Sequence, residues 1–94
     1  MDRFRVVLTD HAIADLKEIP KGLQGQIHGD LKNLQSAALP SGPQIKRLKG
    51  FRPPVYRLRS GDYRVLYQIQ GDVVNVLRVI DRKLLERVIK RLNL

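Results

Sequence analysis

Apolar positions along the chain change period twice, and each change marks an element. Phe4-Arg5-Val6-Val7-Leu8 alternates and then turns apolar, which reads as a short strand. Thr9 or Asp10 can N-cap a helix from about His11, because each offers a side-chain oxygen to orphan backbone N–H groups. Ile13, Leu16 and Ile19 follow at helical spacing, and Pro20 stops that helix. Leu23, Ile27, Leu31 and Leu34 form the buried stripe of a second helix from about Lys21 to Ala38. Gly25 and Gly29 weaken it intrinsically, so tertiary packing must hold it. Beyond the loop Leu39-Pro40-Ser41-Gly42-Pro43 the period shortens to that of strands. Strands are expected at Ile45–Leu48, Val55–Arg59, Tyr63–Gln70 and Val73–Ile80, with a break from Gly50 to Pro54. Ser60-Gly61-Asp62 and Gly71-Asp72 mark tight turns between hairpin strands. Lys83 to Leu92 places Leu84, Leu85, Val88, Ile89 and Leu92 on one side, a short terminal helix. The order βααββββ(α) predicts an α+β fold, an antiparallel sheet packed on an N-terminal helical hairpin. Residues 1–94 read as a single domain, without repeats or a linker.

Register decides which side chains share a face, since a slip of one residue flips them all. With Gly61-Asp62 and Gly71-Asp72 as two-residue loops, Arg59 opposes Arg64 and Arg57 opposes Leu66, whereas a three-residue Ser60-Gly61-Asp62 loop would put Arg64 on the opposite face. The second hairpin sets Gln68 against Asn75 and Leu66 against Leu77. Tyr56, Leu58, Tyr63, Val65, Tyr67, Ile69, Val74, Val76 and Ile80 then face the helices as core. The other face carries Arg57, Arg59, Arg64, Gln68 and Asn75, with Leu66, Leu77 and Val79 among them. Three arginines converge there. Guanidinium forks bind phosphate in bidentate fashion and stay charged, so such a cluster can hold a phosphodiester and stabilise the charge of a phosphorane. The plainer account is that strand arginines only solvate the open face of an antiparallel sheet.

Charge favours the first account. Eighteen Lys and Arg against nine Asp and Glu leave +9, and the excess runs along the whole chain. Such an imbalance repels itself and signals a polyanionic partner. The 43% hydrophobic content suits a globular domain, not a disordered one. There is no cysteine, hence no disulfide framework and no thiolate metal site. No apolar run approaches the roughly 18–20 residues of a membrane span, and the N-terminal residues lack a signal h-region. A cytoplasmic protein without a membrane role is expected. His11 and His28 sit on different helices with no carboxylate pattern around them, so no metal site and no cofactor are expected. Asp10, Asp15, Glu18 and Asp30 read as surface charges on the helices, and Tyr56, Tyr63 and Tyr67 as packing residues. No glycine-rich phosphate loop, HExxH or GxSxG is present.

The segment Tyr56-Arg57-Leu58-Arg59-Ser60-Gly61-Asp62-Tyr63-Arg64-Val65-Leu66-Tyr67 resembles the core of the RelE/ParE toxin–antitoxin superfamily. The β-α-α start, Leu48-Lys49-Gly50 and the late basic run Asp81-Arg82-Lys83 agree with it. The resemblance implies a type II toxin. In its RelE-like branch that means a metal-independent endoribonuclease acting on mRNA in the ribosomal A site. There a ribose 2′-OH attacks its own 3′ phosphate and leaves a cyclic phosphate. Arg57, Arg59 and Arg64 match the basic residues that contact the phosphate in that branch, and Arg82 matches a further one after the last strand. Lys46, Lys49 and Lys83 are the candidate substrate-binding cations, any of which could also carry a proton if burial shifted it. The usual C-terminal tyrosine or histidine has no counterpart between Leu84 and Leu94. The sister branch, ParE, implies instead a DNA gyrase inhibitor without ribonuclease activity. A non-enzymatic nucleic-acid-binding module would need only the charge. Either toxin reading implies an acidic antitoxin in a hetero-oligomer that binds operator DNA. For the RelE-like branch, ribosome and mRNA are the target.

Overall fold

Thr9 opens the helical hairpin with its side chain: its Oγ1 accepts from the Ala12 backbone N–H at 3.2 Å. The computed structural model describes residues 3–92. In chain order the elements are β1 (Arg5–Leu8), α1 (Asp10–Glu18), α2 (Lys21–Asn33), β2 (Ile45–Leu48), β3 (Val55–Ser60), β4 (Tyr63–Gln70) and β5 (Val73–Asp81). A 3-10 turn (Arg82–Leu84) and α3 (Leu85–Leu92) complete them. The second helix ends about one turn before the expected Ala38 and passes into turns from Leu34. Gln24 then ties the hairpin together, donating from Nε2 to the Leu16 and Ile19 carbonyls at the end of α1.

The α+β architecture stands, with one amendment to the sheet. Its order is β1-β5-β4-β3-β2, in which β2 to β5 form the antiparallel meander while β1 pairs with β5 in parallel. The sheet is therefore mixed. The partner of β1 lies at the far end of the sequence, and local patterning cannot report that pairing.

One face of the sheet meets α1 and α2. Ala12, Leu16, Ile27, Leu31 and Leu34 pack there against Leu58, Val65, Tyr67, Val74 and Val76. Tyr67 satisfies its hydroxyl inside this layer by donating to the Ala38 carbonyl at 2.6 Å, and its ring stacks on Tyr56. Two residues of the expected helical stripes fall outside the core. Leu23 and Ile13 remain 47% and 39% exposed.

The β4–β5 register departs from expectation through a bulge. Gln68 does oppose Asn75, but Leu66 opposes Arg78, not Leu77, because Leu77 is an extra residue on β5. Strict alternation from Val74 and Val76 would have driven Arg78 into the core. The bulge turns Arg78 out, brings Val79 in at 2% exposure, and sends Ile80 to the opposite face. The expected placements of Val79 and Ile80 are thus exchanged.

That opposite face is only partly open. Val55, Leu66 and Ile80 form a second, smaller apolar cluster with Val88 of α3, flanked by Leu48, Phe51, Leu77 and Leu85. The C-terminal helix covers aliphatics that the sequence reading left bare. At the other margin α1 takes over from β1 beside β5. The Asp15 carboxylate accepts from the Val79 backbone N–H at 2.9 Å and from Arg78 Nε and Nη2 at 2.8 and 3.0 Å. Asp15 is therefore not a free surface charge. It closes the part of the β5 edge that β1 is too short to reach.

Candidate active site

The β3–β4 turn organises the arginines. Gly61 has φ +58° and Asp62 does not take a positive φ, the arrangement of a II′ hairpin turn with glycine first. As the two-residue loop requires, Arg59 opposes Arg64 and Arg57 opposes Leu66. Side chains so paired start about 5 Å apart. Gly61 also lies close under α2: a Cβ there would sit 3.1 Å from Gln26 Oε1. The turn is thus pressed against the helical hairpin on one side and bears guanidinium groups on the other.

Arg64 donates from Nη1 to the Gly61 and Tyr63 carbonyls at 2.9 and 2.8 Å, which fixes its head over the turn. Arg82 joins from the far end of β5. Its backbone N–H donates to the Asp62 carbonyl at 2.9 Å, and its Nε lies 3.9 Å from Asp62 Oδ1. Both of those side chains are exposed, so the ion pair itself adds little. Burial holds the Arg64 guanidinium below its ordinary pKa, Arg59 and Arg82 push the same way, and Asp62 and Asp81 oppose them.

Arg57 is the unusual member. Only 8% exposed, it carries a buried Nε–H with no acceptor among the described residues. Burial, then Arg59 and Arg64, hold its guanidinium below the ordinary value. A buried cation with like-charged neighbours and an unused donor is relieved by an incoming anion. The four candidate arginines therefore form one electrostatic unit. Arg57 feels Arg59 and Arg64, and Arg64 feels Arg59 and Arg82.

The candidate lysines are more scattered. Lys46 opposes Arg57 across β2 and β3, at the edge of the arginine group. Lys83 follows Arg82 in the 3-10 turn, where its backbone N–H is capped by Asp81 Oδ1 at 2.8 Å. Lys49 follows Leu48, the last residue of β2, whose partner Val55 lies two residues along β3 from Arg57. His11 and His28 lie exposed on α1 and α2. Among the described residues no group of His, Cys, Asp or Glu could hold a metal ion. Asp62 and Asp81 escaped the sequence reading, although each is legible in hindsight. One is the polar residue of a tight turn, and the other is an Asp preceding a helical turn.

The chain belongs to the ParE toxin family of type II toxin–antitoxin systems (parDE), whose profile matches residues 6–85. Within the wider RelE/ParE superfamily its relatives lie on the RelE side. It is 28% identical over 81 residues to Toxin RelE3 of Methanocaldococcus jannaschii, covering 84% of this chain and 91% of that one. It is 31% identical over 83 residues to RelE1 of the same organism, covering 86% and 91%. Among solved structures it resembles the RelE–RelB complex of Pyrococcus horikoshii OT3, with TM-score 0.72, 25% identity and 85% and 96% coverage. The RelBE2 toxin–antitoxin complex of Mycobacterium tuberculosis gives TM-score 0.71, 26% identity and 85% and 99% coverage.

Proposed function

We propose that this toxin is a ribosome-dependent, metal-independent endoribonuclease that cuts mRNA and so stops translation. The observation that carries this reading is the linked group Arg57, Arg59, Arg64 and Arg82, with a buried donor on Arg57 that has no partner among the described residues. The 2′-hydroxyl gives up its proton to solvent as its oxygen attacks the adjacent phosphorus, the bond to the 5′-oxygen breaks, and that oxygen takes a proton from solvent, leaving a 2′,3′-cyclic phosphate and a 5′-hydroxyl. Negative charge grows on the phosphoryl oxygens as this proceeds, and fixed guanidinium donors act there without reorganising. Lys46, Lys49 and Lys83 add substrate contacts around the cluster. A guanidinium holds its proton too firmly to act as a base, so charge stabilisation and positioning carry the rate.

An acidic antitoxin completes the system, since the solved relatives are toxin–antitoxin complexes. We assign operator binding to that complex. Its apolar contacts cannot be Leu66 and Val79, which are 0% and 2% exposed, but Leu84 and Leu92 are 41% and 37% exposed on the α3 side. The second reading, gyrase inhibition, is favoured by the ParE profile. Controlled expression decides between them. We expect transcripts cut within codons while plasmid supercoiling continues; intact transcripts with stalled supercoiling would move the protein to the ParE activity.

A further inference from the structure

Positive charge is unevenly shared over this fold. Residues 10–34 balance Lys17, Lys21 and Lys32 against Asp10, Asp15, Glu18 and Asp30. Residues 45–59 carry Lys46, Arg47, Lys49, Arg52, Arg57 and Arg59 with no carboxylate at all. Residues 82–92 add Arg82, Lys83, Arg87, Lys90 and Arg91 against Glu86 alone. The fold packs these two basic stretches on each other, because Leu48 and Phe51 share an apolar cluster with Leu85 and Val88. Gathering like charges on one side works against folding, so a polyanionic partner is the expected return.

The arginine cluster accounts for only part of this charge. Arg87, Lys90 and Arg91 take no part in it. They are exposed on the outer face of α3, where they line a shallow depression with Lys83 and Glu86. Arg87 and Arg91 stand one turn apart on a single face, about 6 Å along the axis. Among the described residues the ion pairs are Arg78–Asp15 and Arg82–Asp62, and neither involves these three. The depression contains no aromatic ring and no large apolar side chain. Single-stranded RNA is usually gripped by stacking bases on aromatics, whereas a structured RNA needs only cations aligned with its phosphates.

We propose that the outer face of α3 binds the sugar–phosphate backbone of structured RNA, as ribosomal RNA presents it, and docks the toxin while the arginine cluster acts on the mRNA strand. This rests on the ribosome reading above. The triple variant Arg87→Gln, Lys90→Gln, Arg91→Gln keeps good helix formers at exposed positions. A matched triple on the hairpin, Lys17→Gln, Lys21→Gln, Lys32→Gln, serves as its control. Binding is measured against purified ribosomes and against a blunt RNA hairpin over a salt series.

The α3 triple should lose about tenfold or more in affinity for both, and its log–log salt slope should flatten by roughly 2–3, as three lost phosphate contacts require. The hairpin triple should change little, and cleavage at saturating ribosomes should match wild type for both. Unchanged affinity and slope in the α3 triple would overturn the proposal. So would unchanged RNA binding with weakened capture of an acidic antitoxin peptide, which would give the face to a protein partner. If wild type cuts no mRNA yet the slope still flattens on the RNA hairpin, the surface stands and the cleavage reading falls.

Discussion

The two faces of the sheet are built to opposite specifications. On the hairpin face α1 and α2 bury a continuous apolar layer, and the charges of residues 10–34 nearly cancel. On the arginine face an eight-residue helix covers a small cluster, and cations crowd around it. A helix that short is marginal on its own and depends on the few side chains beneath it. Stability is therefore drawn mainly from one face, which leaves the other able to carry charges that repel one another. Where stability and charge repulsion are separated in this way, substitutions on the two faces should differ in kind as well as in size.

The largest stability effect belongs to the hairpin face. Ile27, 1% exposed between α2 and the sheet, should cost about 2–5 kcal/mol when truncated to alanine, checked by denaturant unfolding. The activity of the remaining folded protein should be unchanged. Val88→Ala on the arginine face should cost less, roughly 1.5 kcal/mol for the lost methyl groups. If Val88 proved the costlier of the two, the division between the faces would be wrong.

Asp15 links the hairpin to the edge of β5, and its removal is the next largest effect. Asp15→Ala leaves the half-buried Arg78 and the Val79 N–H without their acceptor, a loss of about 1.5–3 kcal/mol by the same measurement. Arg78 is held above its ordinary pKa by its hydrogen bond to Asp15. A group held above its ordinary pKa contributes fully through the neutral range and loses that contribution as pH rises through its folded-state value in strong alkali, so the loss should not vary across the neutral range.

The smallest effects set one glycine against another. Gly29 on α2 has open space where a Cβ would go and should gain about 0.5–1 kcal/mol as alanine. Gly61 has φ +58° and Gln26 in the way, so its alanine variant should lose about 1–2 kcal/mol. Melting temperature reads both. The Gly61 variant should also lose activity beyond its stability cost, since the turn positions Arg59 and Arg64.

The sequence was most readable where one residue type decides a local geometry. Gly61 and Gly71 each sit first in a two-residue loop, so the β3–β4 register and the Arg59–Arg64 pairing followed directly. It was least readable where distant segments meet. The bulge at Leu77 exchanged Val79 with Ile80, and its one warning was an arginine, Arg78, in a core-facing slot. The parallel docking of β1, the clamp of Asp15 on β5 and the cover that α3 places over Leu66 are all long-range contacts without a local signature. The near-complete burial of Arg57 has the same origin. Its position on the strand was legible, and its desolvation was not.

The most direct test of this account is single-turnover cleavage of A-site mRNA on saturating ribosomes by wild type and by Arg64→Ala, with ribosome affinity measured alongside. Arg64 lies on the arginine face, and the fold rests mainly on the other. The account predicts a rate lower by about 10²–10³-fold in the variant, with affinity and melting temperature little changed and a cyclic phosphate on the wild-type product. An equal loss of rate and affinity would reduce the cluster to a general anion patch, and no cleavage by the wild-type protein would contradict the account outright.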